Sequence, residues 1–255
     1  MKTSTITKNN KKISLWAVVF WLLIWQIGSI IISQEILLVS PISTFRRLSE
    51  LVLEIDFWKS ILFSFSKITT GFLLALMFGS IFAIFSSYVK KFNQLIEPLI
   101  LVIQAVPVAS FIILSLIWIP TRSLSIFISF LMVLPIVYRN ILDGIHNIPK
   151  EIKEMADLFR IPKAKRIRYI YLSQVAPYLR SACSVSLGLC WKSGIAAEVI
   201  GLPKNSIGEN LYQAKIFLDT PDLFAWTVVI IVISILFQKI FLKIIDSILL
   251  KMENI

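Results

Sequence analysis

Stretches in which nearly every residue is apolar alternate along this chain with shorter stretches that hold most of its charge. The apolar runs are Ile13–Ser33, Ile61–Val89, Leu99–Ile119, Leu124–Tyr138, Ser181–Ile200 and Leu223–Ile245. A helix needs about 20 mainly apolar residues to cross a hydrocarbon layer roughly 30 Å thick. Each run therefore predicts a membrane span; the fourth is short, and the second is long enough to tilt or extend past the bilayer. The pattern predicts an all-α polytopic membrane protein with six transmembrane helices. It reads as a single transmembrane domain over residues 1–255, with a core at about 61–245 and an N-terminal span at 13–33. No internal repeat or second domain is visible.

Composition agrees. Of 255 residues 57% are hydrophobic and 16% charged, against about 25% charged in an ordinary soluble domain. The net charge of +11 is a matter of topology rather than nucleic acid, because the basic residues lie between the spans and not on an aromatic-lined basic face. Lys2, Lys8, Lys11 and Lys12 precede the first span, Lys90 and Lys91 follow the second, Arg139 to Arg180 holds nine basic residues, and Lys239, Lys243 and Lys251 close the chain. The alternate connections hold fewer, offset by acids such as Glu50, Asp56 and Asp222. Basic residues mark the cytoplasmic side of short loops, so both termini are expected inside a cell membrane. The first run is too long for a cleaved leader and reads as a retained span. Cys183 and Cys190 lie about 10 Å apart along one helix, too far for a disulfide. With His146 the single histidine, no metal centre is expected.

The longer outer connection, Gln34–Ser60, has a helix start at Pro41, and Phe45–Ile55 is expected at the membrane surface. The inner connection Arg139–Arg180 is long enough to have structure of its own. A helix is expected at about 149–161. Pro149 begins it, Glu151 and Glu154 suit its N-terminal dipole, and Pro162 ends it. Ile152, Met155, Ala156 and Phe159 recur at helical spacing as one apolar stripe. Such a helix can lie on lipid or fill a groove in a partner. A very basic run, Lys163–Arg168, follows it.

Glu154-Met155-Ala156, with Ile170-Tyr171-Leu172 downstream, resembles the signature of binding-protein-dependent ABC transporter permeases: E-A-A, three residues, G, nine residues, I-x-L-P. Met155 replaces an Ala, Arg160 stands at the Gly and Ser173 at the Pro. Gln104-Ala-Val-Pro107 with Trp118, Ala196-Ala197-Glu198, Gln213-Ala214, Asp219-Thr220-Pro221 and Leu38-Val39-Ser40-Pro41 resemble the nitrate, sulfonate and taurine branch. Val39, Ile113 and Pro120 depart from that branch's usual residues. The resemblance implies a type-1 importer permease bundle whose cytoplasmic coupling helix docks on a separate ABC ATPase subunit. The docking residues would be Glu151, Glu154, Met155, Ala156, Phe159, Arg160, Ile170 and Leu172. It also implies an extracytoplasmic solute-binding protein, a permease homodimer in membrane lipid, and no enzymatic activity. The expected solute is a nitrate-, sulfonate- or taurine-like anion; the alternatives are a heterocycle such as a thiamine precursor, or a self-sufficient secondary transporter. The chain has no phosphate loop of the G-x-x-x-x-G-K-S/T kind and no cofactor is expected; ATP would be bound by the partner.

Lys192, Glu198, Lys67 and Gln104 are the candidate pathway residues. Lys192 falls about twelve residues into a span rich in Ser, Gly, Ala and Cys. A charge at the bilayer centre costs at least about 2.5–3.5 kcal/mol, so water, an acid or an anionic solute should offset it. Spacing of six puts Glu198 on a different face of the same helix. Lys67 lies near the outer end of its span, in reach of headgroups. Pro107 and Pro135 are expected to kink their spans. An intramembrane enzyme would need a second acid, a metal cluster or a nucleophile–base pair at depth, and the sequence offers none.

Overall fold

The computed structural model describes residues 15–253; the expected N-terminal lysines and the first two residues of the first run lie outside them. The elements are α1 (Leu15–Ile32), α2 (Pro41–Leu51), α3 (Ile55–Tyr88), α4 (Lys90–Ala105), α5 (Val108–Ser115), α6 (Thr121–His146), α7 (Lys150–Leu158), α8 (Lys163–Arg166), a π-turn (Ile167–Tyr171), α9 (Leu172–Gly201), α10 (Ile207–Ile216) and α11 (Thr220–Glu253). Five stretches are long and apolar enough to cross a membrane, and α4 with α5 makes a sixth when counted as one bent span.

The third run is not the straight span expected. α4 and α5 meet at 103°, because Val106 is extended and Pro107 has no N–H to continue a ladder. Its topological role survives the bend. Gly71 of α3 lies against Ile126 and Ser129 of α6, and Gly79 against Leu134 and Val137. Two turns further along α3, Tyr138 Oη is 3.0 Å from Ser86 Oγ. Residue numbers rise together along both helices, so α3 and α6 run parallel. Two parallel neighbours joined through residues 90–120 require that segment to recross the bilayer. α9 runs antiparallel to both, with Glu198 beside Ser64, Gly194 beside Ile68 and Ser129, and Gly144 of α6 beside Tyr178. α11 again runs with α3, as the ring pairs Phe57–Trp226, Phe65–Phe237 and Phe72–Phe241 record.

Close approach of α3, α6 and α9 sets the core. A Cβ on Gly71 would meet the Ile126 carbonyl oxygen and come 2.8 Å from Ser129 Cβ. One on Gly194 would come 2.6 Å from Ile68 Cγ1 and 2.7 Å from Ser129 Oγ. Small residues at such crossings let apolar helices gain van der Waals contact where lipid offers no hydrophobic driving force. Ile68, Phe72, Val133, Val137, Leu187 and Trp191 fill the space around them.

Several helices outrun their apolar stretches. α6 continues past Tyr138 through Arg139, which pairs with Glu97 of α4 at 3.1 Å, and Pro135 stays inside the uninterrupted helix. α9 extends an unbroken helical path back to Lys163, and Ser173 donates to the carbonyls of Tyr169 and Ile170 where the π-turn loosens the ladder. α2 starts where Pro41 predicts, its first turn capped by Ser40, which accepts from Ser43 N at 3.1 Å. Every ion pair among the described residues lies near one end of the bundle or the other. Arg47–Asp222 and Lys59–Asp56 mark the α2 end; Arg139–Glu97, Arg166–Asp157 and Arg180–Asp246 mark the α7 end. α1 stands apart and buries no residue. It is held by Trp25 Nε1 donating to the Val39 carbonyl, Ser29 donating to that of Leu38, and Trp25 stacked on Phe224.

Gly188 provides an internal control for the packing argument, since an added Cβ there meets nothing within 4 Å. Gly71→Ala is expected to destabilise the purified chain by about 1–3 kcal/mol through overpacking. Gly188→Ala should be neutral or stabilising by up to about 1 kcal/mol through helix propensity. Thermal unfolding in detergent compares the two.

Candidate coupling and translocation sites

At one end of the bundle α7 caps a small satellite core. Ile148, Ala156 and Ile170 are buried together, with Ile152, Ile161 and Tyr171 packed around them. The single apolar stripe expected on α7 is thus divided. Ile152 and Ala156 face the chain's own core, while Met155, Leu158 and Phe159 stand 45%, 80% and 70% exposed. Glu151 and Glu154 are exposed as well, and Leu172 is 40% exposed. Leu158, absent from the sequence-derived set, belongs with Met155 and Phe159; its position one turn after Glu154 was the available signal.

The end of α7 explains the departure at Arg160. Ile161 N donates to the Ala156 carbonyl and Arg160 N to that of Asp157, both at 3.0 Å. This is the paired bonding of a Schellman stop, completed by contact between Ile161 and the satellite core. The motif puts its third-from-last carbonyl partner in place only if the residue after the cap is left-handed, and Arg160 has φ 47°. Glycine adopts that conformation freely; arginine does so at a cost of about 1–2 kcal/mol. The turn forms nonetheless, and Asp157 pairs with Arg166 across it at 2.7 Å.

Along α9 a second face is open. Ser181, Val185, Gly188, Lys192, Ala196 and Val199 fall on one side by helical spacing; Ser181, Val185 and Lys192 are exposed, and Gly188 has empty space beside it. Ala196 and Val199 pack against the core, so Lys192 closes an open strip that runs from Ser181, turned away from the α3–α6 contact. It makes no ion pair with Glu198. Gln104 is exposed in the last turn of α4, beside the bend. Lys67 is half-buried, with Nζ 5.7 Å from the Phe63 ring centre. The four pathway candidates thus do not converge on one site.

Glu198 is fully buried at the other end of the bundle. Ser64 Oγ of α3 donates to its Oε2 at 2.6 Å, and Gly208 N donates to the same oxygen at 3.3 Å. Ser64 Oγ in turn accepts from Ile207 N at 3.0 Å. Ile207 and Gly208 open α10, so the carboxylate and its serine satisfy two of the free N–H groups that begin a helix and lie against its positive end. Ser206 adds the ordinary N-cap, accepting from Glu209 N at 3.0 Å. Gly208 is required for the approach, because a Cβ there would strike the Glu198 side chain and backbone. Left-handed Leu202 and Asn205 turn the chain from α9 into α10. Ser64 and Gly208 could not be picked out beforehand, since nothing local distinguishes them from the other small residues of the spans.

These features define a polytopic helical bundle with an exposed apolar helix at one end and an uncovered small-residue face through the membrane. Residues 75–251 match the family described as "Binding-protein-dependent transport system inner membrane component", and the chain belongs to it. It is similar to the putative aliphatic sulfonates transport permease protein SsuC of Bacillus subtilis, 24% identical over 91% of this chain and 84% of that one. It is also similar to the bicarbonate transport system permease protein CmpB of Synechococcus elongatus, 26% identical over 76% and 73% of the two chains. The taurine transport system permease protein TauC of Escherichia coli is 20% identical over 84% and 80%.

Relieving the left-handed arginine should strengthen the α7 stop. Arg160→Gly is expected to slow hydrogen exchange of the Ile161 amide about fivefold, the equivalent of roughly 1 kcal/mol, and Arg160→Val to accelerate it. At the buried carboxylate, Glu198→Leu is expected to cost about 1–3 kcal/mol by orphaning its donors. Glu198→Gln, which keeps an acceptor, should cost less. Thermal unfolding of the purified variants measures the difference.

Proposed function

We propose that this chain is the membrane-spanning subunit of an ATP-driven importer of a small anion, working as a homodimer with two ATPase subunits and an extracytoplasmic binding protein. The observation that carries the reading is the exposed trio Met155, Leu158 and Phe159 on a short helix otherwise anchored by its own core. Large apolar side chains set in a rigid, charged surface suit insertion into a groove of a soluble partner. Glu151 and Glu154 beside them, and the basic run Lys163–Arg168 after them, supply a polar rim. This end carries most of the bundle's basic residues, which supports a cytoplasmic location for it and for both termini.

The uncovered strip of α9 supports a pathway built between two copies, each contributing Lys192 to a shared aqueous space. A lysine there attracts anions, and relatives are named for the transport of aliphatic sulfonates, bicarbonate and taurine. Substrate passes when ATP-driven approach of the ATPases moves the two α7 helices and, through α9, the faces that line the pathway.

Co-purification from membranes tests this. The wild type is expected to bring down a nucleotide-binding subunit, and Glu154→Arg with Phe159→Asp to lose it while remaining folded. Lys192→Met should keep the ATPase yet reduce uptake of labelled taurine, bicarbonate or an alkanesulfonate, tried in turn. A folded wild type that never associates with an ATPase would instead point to a self-sufficient transporter.

A further inference from the structure

Two cations lie near the Phe63 ring of α3. Lys67 Nζ lies 5.7 Å from its ring centre and the Arg122 guanidinium carbon 6.0 Å. The charges come from different helices, α3 and α6, at the end of the bundle that carries α2 and α10. Among the described residues neither forms an ion pair or donates a side-chain hydrogen bond, whereas Arg46 and Arg47 pair with Glu50, Arg47 also with Asp222, and Lys59 with Asp56. Glu198, the buried carboxyl group at this end, takes its hydrogen bonds from Ser64 and Gly208 through Oε2 and makes no ion pair with either cation.

Lys67 is half-buried and Arg122 exposed, and two like charges near one ring repel each other. Cation–π attraction of roughly 0.5–1 kcal/mol offsets part of this and favours both groups beside the ring. Nor do they serve orientation, because they lie at the end that carries fewer basic residues, where Lys204 and Lys215 are also without an ion pair but stand away from any aromatic cation contact among the described residues. Arg122 also occupies the first turn of α6, which has neither an acid nor a side-chain cap; the helix end adds to the positive field instead of relieving it.

We infer that Lys67 and Arg122, set on Phe63, form an anion-holding site at the α3–α6 seam that takes a tetrahedral oxyanion group, a phosphate or a sulfonate. Arg122 supplies a planar fork for two oxygens, Lys67 a point charge for the third, and the ring gives an apolar floor. The group can come from a lipid headgroup or from a free anion in the outer medium. The free-anion source rests on the proposed importer reading, but the test below uses no ATPase, so either can fail without the other.

The purified chain is placed in nanodiscs of phosphatidylcholine, with or without phosphatidylglycerol, at matched ionic strength. Inorganic sulfate is titrated while thermal unfolding is followed, and retained lipid is measured by native mass spectrometry. A free-anion site gives a saturable sulfate stabilisation in phosphatidylcholine discs. A lipid site gives retained phosphatidylglycerol and no further effect of sulfate. In either case Lys67→Gln with Arg122→Gln is expected to weaken the interaction about thirtyfold, taking about fivefold for each cation. Each single change should weaken it about fivefold. Lys67→Arg with Arg122→Lys should largely restore binding, and Lys204→Gln with Lys215→Gln, exposed cations at the same end, should leave it unchanged. Wild type that shows neither sulfate stabilisation nor lipid retention, or binding that the Gln variants leave intact, overturns the site.

Discussion

Three helices close on one another where Gly71 and Gly194 carry no side chain of their own, and the rest of the bundle is arranged around that contact. α3 and α6 can lie parallel only because Gly71 and Gly79 admit the α6 backbone, and a parallel pair forces residues 90–120 back across the bilayer. That return is made by two helices meeting at Pro107, which leaves α5 free to pack beside α9. α9 seats itself in the notch by Gly194, turning its buried face toward Ile68 and Ser129. The same rotation leaves Lys192 and Gly188 on the opposite side. The open strip is thus a consequence of the core crossing, and any residue with a Cβ at position 71 or 194 would disturb both.

Much of this architecture was legible in the sequence. Length and polarity of the six runs gave the spans, and their charged flanks separated the two ends of the bundle. Pro41 and Pro149 marked helix starts within a residue, because proline acts on its own neighbours, whereas α7 stops at Leu158, ahead of the end expected at Pro162, because the turn through Arg160 closes it first. The missed features depend on other parts of the chain. The α4–α5 angle is not encoded by Pro107 alone, since Pro135 leaves α6 continuous. The start at Lys163 of the helical path that leads into α9 was hidden because its first turns are basic and stand outside the apolar run. On α7 the spacing of Ile152, Met155, Ala156 and Phe159 was right in period but silent on which side would be covered by Ile148 and Ile170.

The candidate sites divide along the same line. Lys192 stood out as a charge in a long apolar stretch, and its placement on an unpacked face follows from the geometry of the neighbouring helices. Glu198 stood out equally, but its role as the internal partner of the α10 N-terminus depends on Ser64, more than 130 positions away. Arg160 was visible as a departure from the family pattern; only the left-handed backbone shows that the constraint which favours glycine there is still in force.

The helical path from Lys163 to Gly201 joins the satellite core under α7 to the carboxylate that holds α10. Its length is about 58 Å at 1.5 Å per residue, enough to traverse the membrane and project beyond it. Near one end Asp157 and the Ile148–Ala156–Ile170 cluster grip it, and at the other Glu198 ties it to a neighbouring helix and a returning loop. The π-turn, which itself contains Ile170 of that cluster, shifts the angular register of the basic turns upstream relative to the spanning turns downstream. One continuous rod thus carries the seat of α7, the Lys192 face and the anchor of α10, so the angle at which α7 is presented is indexed to the angle of the face inside the membrane.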